Sequence, residues 1–324
     1  MFRKWRFWLG LVVSLAFLYL AFRQVDLAST WGAIQRANYF FLLPAVVVYF
    51  VGVWVRAARW RYLLRPIKET SPSRLFPVVV IGYMANDILP VRMGELVRAY
   101  VLGEKERVSK TAILATIVVE RVFDGLIMLA FMVTISAFIP LEPWLQRIMR
   151  LAAALFLGFL AVSFVVASSR RLTVSLFGMF TRYLPGTLGQ RAKGLFASFL
   201  EGFAVLQSPG GVAAVFSTSL LAWLCEGSMY YLLMFSFPFV QPFYVLLLTT
   251  AVANLGTLVP SSPGYVGTFD LPAIAVLTLF GVEKSLAASY TLVLHAALLL
   301  PVTLLGFFYL WREGITLGQV SRAR

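Results

Sequence analysis

Charged residues recur inside stretches of this chain that are otherwise apolar, and their spacing places several on shared helix faces. Arg92, Glu95 and Arg98 follow one another at intervals of three, as do Arg121 and Asp124. The complete set is Arg92, Glu95, Arg98, Glu120, Arg121, Asp124, Glu226 and Asp270. Ionisable groups surrounded by apolar residues are costly, and they commonly bind a charged ligand, carry a proton or form ion pairs.

Two roles stay open for these charges. A buried arginine–carboxylate network that only locks the fold accounts for Glu120, Arg121 and Asp124 as well as a ligand site does. For Arg92 and Glu95 a ligand site is favoured, because both lie beside a proline- and glycine-containing interruption. The single histidine, His295, has apolar neighbours, and we interpret it as a hydrogen-bonded core residue rather than a proton relay.

Helix interruptions supply a second set of candidates, in the apolar stretches 75–104 and 242–280. A helix that begins inside a membrane presents free N–H groups and a partial positive charge, which suit an anion such as phosphate. In the second stretch Ser262 is suited to cap a helix beginning at Pro263. In the first stretch the new helix is expected near Met93. The residues assigned to this anion site are Asn86, Arg92, Gly94, Asn254, Ser262 and Gly264.

The composition explains why these residues must be interpreted in a membrane. The 324 residues are 60% hydrophobic and 13% charged, with a mean hydropathy of +0.85, whereas soluble domains carry about 25% charged residues. The net charge of +14 is attributed to basic residues at the cytoplasmic face rather than to nucleic-acid binding. One cysteine and one histidine predict neither a disulfide framework nor a histidine metal cluster. No nucleotide-binding motif is present, and no cofactor is expected.

The predicted fold is an all-α polytopic membrane protein with six spanning helices and two re-entrant helical hairpins. The spans are 5–22, 38–58, 111–139, 148–168, 211–238 and 285–311, each close to the length that crosses a bilayer. The interrupted stretches form the hairpins. The first span is interpreted as an uncleaved anchor rather than a signal peptide, because no cleavage site follows its apolar run.

The basic residues predict the orientation of the chain. With hairpins, twenty-one lysines and arginines lie on one side and five on the other, which places both termini in the cytoplasm and the protein in the plasma membrane. The connector 169–209 has apolar residues at helical spacing, which fits an interfacial amphipathic helix and a packed cytoplasmic helix equally well. Those apolar residues are Leu195, Phe196, Phe199, Leu200 and Phe203.

Residues 38–139 and 211–311 are predicted to form an inverted repeat within a single domain that covers 1–324. Each contains a span, a hairpin and a second span, and Asn86 and Asn254 take the same place before the two breaks. By the charge count, the first hairpin enters from the cytoplasm and the second from outside. Inverted repeats of this kind are common in secondary transporters, whose sites lie where the two repeats meet.

The ordered motifs resemble the flippase-like transmembrane region of lysylphosphatidylglycerol synthases, which includes the membrane half of the multiple peptide resistance factor and many stand-alone proteins. They are Trp60-Arg61-x-Leu63-Leu64, Asn86-x-x-Leu89-Pro90-x-Arg92-x-Gly94-Glu95-x-x-Arg98, Glu120-Arg121-x-x-Asp124 and Pro260-x-x-Pro263-Gly264-x-x-Gly267-x-x-Asp270. Two positions depart from the usual pattern: Tyr265 replaces a glycine and Asp270 replaces a glutamate. Because no soluble aminoacyltransferase domain follows residue 311, we do not expect this chain to synthesise lysylphosphatidylglycerol.

The resemblance and the site residues together predict a non-enzymatic lipid transporter. Its substrate would be a phospholipid or polyprenyl-phosphate lipid, aminoacylated or not. Two alternatives stay open: an integral-membrane transferase, and a membrane partner that recruits a separate lipid-modifying enzyme through 169–209. A homo-oligomer is also compatible with the sequence.

Overall fold

The computed structural model describes residues 5–89, 93–168 and 186–314, and within those ranges every regular element is helical. Short 3-10 turns connect several of the longer helices. The α-helices of these ranges are α1 (Trp5–Phe22), α2 (Leu27–Arg36), α3 (Leu42–Leu64), α4 (Pro72–Ile88), α5 (Gly94–Glu106), α6 (Lys110–Ser136), α7 (Pro143–Ser168), α8 (Gly186–Glu201), α9 (Pro209–Met234), α10 (Phe243–Gly256), α11 (Asp270–Leu279) and α12 (Lys284–Arg312).

Several of these helices are long and apolar enough to cross a membrane, which confirms a multi-pass helical protein. In the described part of the chain the spans that meet this condition are Tyr39–Leu64, Pro143–Val166, Pro209–Met234 and Lys284–Arg312. The pair α1 and α2, bent by 85° between Phe22 and Leu27, adds a fifth if it counts as one span. The carboxylate of Asp26 caps α2 at this bend by accepting the N–H of Ala28 at 3.0 Å.

The six predicted spans are thus matched only in part. Helix α6 corresponds to the predicted span 111–139, and its 27 residues give a length of about 40 Å. This helix is long enough to cross a membrane but is not counted as an apolar span, because Glu120, Arg121 and Asp124 lie near its middle. The structure buries two of these three charges completely against other helices, so α6 is a core helix of the protein whatever its place in the bilayer.

Each predicted hairpin consists of two shorter helices that pack against each other: α4 with α5, and α10 with α11. Helices α5, α10 and α11 contain 13, 14 and 10 residues, or about 15–21 Å at 1.5 Å per residue. A hydrocarbon core of about 30 Å is too thick for any of them to span alone.

Contacts at the two ends of the bundle show where each hairpin opens. Lys68, just before α4, pairs with Glu106 at the end of α5 at 2.9 Å, so both ends of the first hairpin lie together. Gln241, just before α10, donates to the carbonyl of Phe280, just after α11, at 3.0 Å. The second hairpin therefore also begins and finishes at one end.

The same kind of contact separates the two ends from each other. Lys105 of α5 pairs with Glu313 at 2.6 Å, which places the end of α12 beside the first hairpin's opening. At the other end the N–H of Asn38 donates to the carbonyl of Ser236 at 2.9 Å. The N–H of Asp26 donates to the hydroxyl of Ser285 at 3.2 Å. These groupings agree with the sides that the basic residues predict for the corresponding loops.

The halves of the chain interlock around α3 and α9, which pack along each other extensively. Helix α4 of the first hairpin packs against α12, and α10 of the second hairpin packs against α6. Each hairpin thus contacts the last helix of the other half. A side chain at Gly306 would clash with Met84, which explains how α12 approaches α4 closely.

The connector is partly described. Residues 169–185 lie outside the described residues, and 186–201 form α8, as the helical spacing predicts. Helix α8 packs against α6, and Leu200 and Phe203 are buried while Leu195 is exposed. Of the two alternatives left by the sequence, the packing supports a helix docked on the protein.

Candidate functional site

The end of α4, just before the first helix break, meets the second break in the interior of the bundle. The end of α4 packs against the turn Pro263–Tyr265, and a Cβ on Gly264 would lie 3.7 Å from the carbonyl oxygen of Asp87. Beside this contact is a cavity of about 130 Å³. Its polar and aromatic lining residues are Tyr49, Arg56, Tyr83, Asn86, Asp87, Arg121, Trp223, Glu226, Asn254, Thr257, Tyr265, Phe269 and His295.

Asn86 and Asn254, which the sequence places before the two breaks, both line this cavity. The side-chain oxygen of Asn86 accepts the N–H of Gly94 at 2.7 Å, which ties the end of α4 to the start of α5. Asn254 donates to Glu226 Oε1 at 3.0 Å and to the carbonyl of Thr250 at 2.9 Å. Each asparagine therefore stabilises the helix arrangement around its own break.

Behind the cavity, four of the charged residues form a buried ion-pair network. Arg98 donates from Nη1 and Nη2 to the two carboxylate oxygens of Glu120 at 2.9 and 3.0 Å. Arg59 donates to Asp124 Oδ1 at 2.5 Å and lies 3.2 Å from Glu120. Arg59, Arg98 and Glu120 are at most 2% exposed, and Asp124 is 6% exposed. Paired and sealed from the cavity, these groups have the geometry of the structural lock that the sequence left open.

Arg121 connects this network to the cavity. Its Nη2 contacts Glu120 and lies 3.4 Å from Asp124, yet 31% of its side chain is exposed. The Nε of Arg121 is buried and has no hydrogen-bond partner among the described residues. Glu95, whose side chain is half-buried, interacts electrostatically with Arg121. Arg121 is thus anchored through one nitrogen and presents guanidinium N–H groups beyond those pairs.

Sequence reasoning missed two arginines of α3. The second predicted span ends at residue 58, and the charge count places Arg56 and Arg59 among the cytoplasmic basic residues, but α3 continues to Leu64 and buries both. Arg56 pairs with Glu226 at 2.7 Å, and its guanidinium lies 4.6 Å from the ring centre of Trp223. The signal available was the helical spacing of apolar residues on either side of the two arginines.

The sequence predicts that His295 is a core histidine, and the structure places it at the second break and in the cavity wall. Its Nδ1 lies 2.8 Å from Asp270 Oδ1, and its Nε2 lies 2.7 Å from the carbonyl oxygen of Gly264. The other carboxylate oxygen of Asp270 accepts the N–H of Gly267 at 2.8 Å. His295 is thus hydrogen-bonded, as expected, but to the two predicted site residues Asp270 and Gly264.

Asp87 is another cavity residue that the sequence did not single out. It directly follows Asn86, and its Oδ2 accepts the hydroxyl of Thr303 on α12 at 2.7 Å. It also interacts electrostatically with His295. The cavity therefore carries two carboxylates, Asp87, which is bonded to Thr303, and Glu226, which is paired with Arg56, in addition to Arg121.

At the two helix starts predicted to bind an anion, some of the groups have partners within the protein. Ser262 makes no capping hydrogen bond; its N–H donates to the hydroxyl of Ser14 at 2.8 Å, and its hydroxyl accepts from Ser14. The prediction of a cap there is wrong because α1 supplies a partner for the break. At the first break the N–H of Gly94 is taken by Asn86. Arg92 lies outside the described residues.

Comparison with known proteins bears out the family resemblance. Residues 7–306 match the family described as the lysylphosphatidylglycerol synthase transmembrane region. The chain is 26% identical over 298 residues to a UPF0104 membrane protein of Methanothermobacter thermautotrophicus, with 87% of each chain covered. It is 22% identical over 309 residues to a UPF0104 membrane protein of Methanocaldococcus jannaschii, with 92% of each covered.

A shorter match links the chain to a larger protein. Over 116 residues, 36% of this chain, it is 28% identical to glycosyltransferase AglD of Haloferax volcanii, of which the match covers 19%. No solved structure matches the chain.

Proposed function

The chain belongs to the lysylphosphatidylglycerol synthase transmembrane family, and from that premise we propose that it moves a phosphate-bearing lipid between membrane leaflets. It acts as a transporter and carries out no covalent chemistry. The observation that carries the proposal is Arg121, a guanidinium anchored through one nitrogen and partly exposed to the cavity where the two breaks meet. A planar guanidinium suits phosphate oxygens because it donates several N–H groups in a fixed fork.

The remaining cavity residues suit the rest of a lipid headgroup. Asp87 offers a carboxylate to an amine, while Glu226 is paired with Arg56, so the cavity accommodates a headgroup that carries both a phosphate and a cation. Burying a phosphate in hydrocarbon without partners is prohibitive, and the cavity replaces its water with protein donors. An apolar groove of about 570 Å³ between α6, α9 and α10 suits an acyl or prenyl chain.

The interlocked hairpins support alternating access. We interpret the two halves as an inverted repeat of spans and re-entrant hairpins, with α6 spanning despite its charges and both termini in the cytoplasm. Because each hairpin packs against the last helix of the other half, rocking one half against the other opens the cavity to one leaflet at a time. The narrow cavity corresponds to a stage at which the hairpin tips are together.

Reconstitution tests the proposal directly. Purified protein in liposomes is expected to transfer a fluorescent phospholipid between leaflets without nucleotide, as followed by chemical quenching of the outer leaflet. A fluorescent lipid without phosphate serves as the substrate control. Transfer no faster than in empty liposomes, for phosphate-bearing lipids of both phospholipid and polyprenyl type, would refute the proposal.

The orientation has its own test. In a Cys225→Ser background, Arg36→Cys is expected to react with an impermeant thiol reagent added to intact cells, whereas Glu69→Cys reacts only after lysis. Both positions are exposed at opposite ends of the bundle. The reverse pattern would overturn the predicted topology while leaving the cavity unaffected.

A second function is favoured by the match to glycosyltransferase AglD. In this alternative the chain is a membrane partner in glycolipid biosynthesis that presents a lipid to a separate enzyme. Purification from its native membrane distinguishes the two, since a stable complex with a transferase, combined with no lipid transfer by the isolated chain, favours the partner role.

A further inference from the structure

We infer that His295 and Asp270 together hold one exchangeable proton, and that this proton is the coupling ion of the transporter. The coupling part of this inference rests on the proposed lipid transport; the proton site does not. The observation that supports it is that both ring nitrogens of the buried His295 lie within hydrogen-bond distance of oxygen atoms, one in the carboxylate of Asp270 and one in the carbonyl of Gly264.

The chemistry of the two oxygens fixes the number of protons. The carbonyl of Gly264 can only accept, so the nitrogen at 2.7 Å from it, Nε2, must carry a hydrogen. A second hydrogen must lie between Nδ1 and Asp270 at 2.8 Å, whether it belongs to the imidazolium or to the carboxylic acid. With one hydrogen fewer, a neutral imidazole would face two acceptors with a single N–H. The observed geometry is therefore that of the protonated pair.

Losing the proton would change the shape of the second break. A neutral ring keeps either its bond to Gly264 or its bond to Asp270, and the other nitrogen then faces an oxygen with lone pair against lone pair. Asp270 begins α11, and Gly264 lies in the turn with a left-handed φ of 71°. The proton thus adds a link between the turn and the helix that follows it, and its release breaks that link while the bonds of Gly267 to Asp270 and Leu271 remain.

The turn that contains Gly264, whose link to His295 depends on the proton, is also the segment that contacts the first hairpin. Gly264 packs against the backbone of Asp87, and Tyr265 lines the same cavity. A change of protonation at His295 is consequently transmitted to the place where the two hairpin tips meet, which is also where the headgroup would bind. This juxtaposition links proton binding to the opening of the cavity.

Other ionisable groups around the cavity set the environment of the pair. Asp87 lines the same cavity as His295 and interacts with it electrostatically. The titratable and charged groups that face the cavity beside His295 are Tyr49 and Arg56 from α3, Tyr83 and Asp87 from α4, Arg121 from α6, Glu226 from α9 and Tyr265 from the second break. The cationic Arg56 and Arg121 oppose a charged histidine, whereas Asp87 and Glu226 favour it.

The composition makes the proton site directly observable, because His295 is the only histidine in the chain. Protein labelled with 15N-histidine, purified with a tag that contains no histidine and placed in nanodiscs, gives one imidazole to follow by NMR. We expect two N–H hydrogens, or one N–H with Nδ1 in a strong hydrogen bond to a protonated Asp270, at low pH, and loss of one hydrogen as pH rises. A ring with a single unchanging N–H signature from pH 5 to pH 9 would overturn the proton site.

Transport under a pH gradient tests the coupling. Wild-type protein in liposomes is expected to accumulate the fluorescent phospholipid in one leaflet when a gradient is imposed, and to reverse the asymmetry when the gradient is reversed. Asp270→Asn and His295→Gln are expected to lose this asymmetry. Glu69→Gln, which removes a carboxylate that is 80% exposed, is the matched control and should behave like wild type.

The possible failures are distinguishable. Transfer that reaches the same distribution with and without a gradient would overturn the coupling and leave the proposed function intact. No transfer under any condition would overturn the proposed function and the coupling, while the NMR titration still decides the proton site. If the variants do not fold, the wild-type titration and the gradient reversal decide the inference without them.

Discussion

Each half of the molecule places a basic side chain beside an acidic one at a corresponding point, but the two basic side chains differ in chemistry. In the first half Arg121 on α6 faces the cavity and interacts with Glu95 near the start of α5. In the second half His295 on α12 faces the same cavity and bonds to Asp270 at the start of α11. Both pairs join the second helix of a hairpin to the long helix that follows it.

The difference lies in whether the charge can be given up. An arginine side chain stays protonated at any pH at which a protein is folded, whereas an imidazole exchanges its proton near neutral pH in water. The first half is also reinforced by the buried network of Arg59, Arg98, Glu120 and Asp124. The comparison indicates a fixed half that holds charge and a changeable half that responds to it.

The largest expected effect comes from breaking the fixed half. Arg98→Ala removes the two hydrogen bonds to Glu120 and leaves that buried carboxylate with weaker partners. Removing one member of a buried ion pair costs about 3–5 kcal/mol, so we expect a large fall in the thermal unfolding temperature of the purified protein.

The control for this change is Arg65→Ala. Arg65 also pairs with a carboxylate, Glu69 at 3.6 Å, but 69% of its side chain is exposed, and exposed pairs contribute about 0–1 kcal/mol. Equal unfolding temperatures for the two variants would contradict the view that the first-half network locks the fold.

The sequence predicted the parts of this comparison that depend on local order. The paired interruptions, the asparagines before them and the charges of α6 are all visible as motifs, and both Asn86 and Asn254 line the cavity. Local order also predicts short helices on each side of the breaks, since proline and glycine interrupt the apolar runs there. The structure adds which elements of the two halves pack together.

What the sequence could not supply are partners that are far apart along the chain. Ser262 is expected to cap its own helix, but its N–H and its hydroxyl both bond to the hydroxyl of Ser14, which is 248 positions away along the chain. Asp87 bonds to Thr303 across 216 positions, so nothing near it indicates a buried carboxylate. Arg59 lies just beyond the predicted span because a hydropathy boundary treats an arginine as the end of a span, whereas a partner such as Asp124 keeps it inside.

A smaller effect on stability but a larger one on transport is expected for Arg121. Arg121→Gln removes the charge proposed to contact phosphate, and charged hydrogen bonds contribute about 1.5–3 kcal/mol, so lipid transfer should fall by about tenfold or more. Arg121→Lys should recover part of the rate because it restores the charge without the planar fork. Transfer rates in liposomes and unfolding temperatures are measured on the same samples.

Arg147→Gln is the matched control for this change, since Arg147 is an exposed arginine of α7. An Arg121→Gln protein that transfers lipid at the wild-type rate would show that both halves only support the fold. A variant as unstable as Arg98→Ala would instead place Arg121 in the structural network, and the contrast between the halves would then rest on stability alone.

The smallest expected effect concerns Glu283, which must be separated from the titration of the changeable half. Its carboxylate accepts the N–H groups of Ser285 and Leu286 at 2.8 Å at the start of α12. These hydrogen bonds, chiefly that of Ser285, lower the pKa of Glu283 below its usual value of 4.5. A carboxyl group with a lowered pKa stabilises the folded state above its unfolded pKa, and this contribution is lost as pH falls through the folded value. Glu283→Ala should therefore lower stability by about 1 kcal/mol at neutral pH and much less near pH 3, as measured by thermal unfolding.

Because the titration of Glu283 is confined to pH below about 4.5, any change in stability or transport between pH 5 and pH 9 that persists in Glu283→Ala has another source. If this pH-dependent change disappears in Asp270→Asn, it is assigned to the pair of His295 and Asp270. If the change persists in Asp270→Asn, neither half of the molecule holds a proton that is exchanged in this pH range.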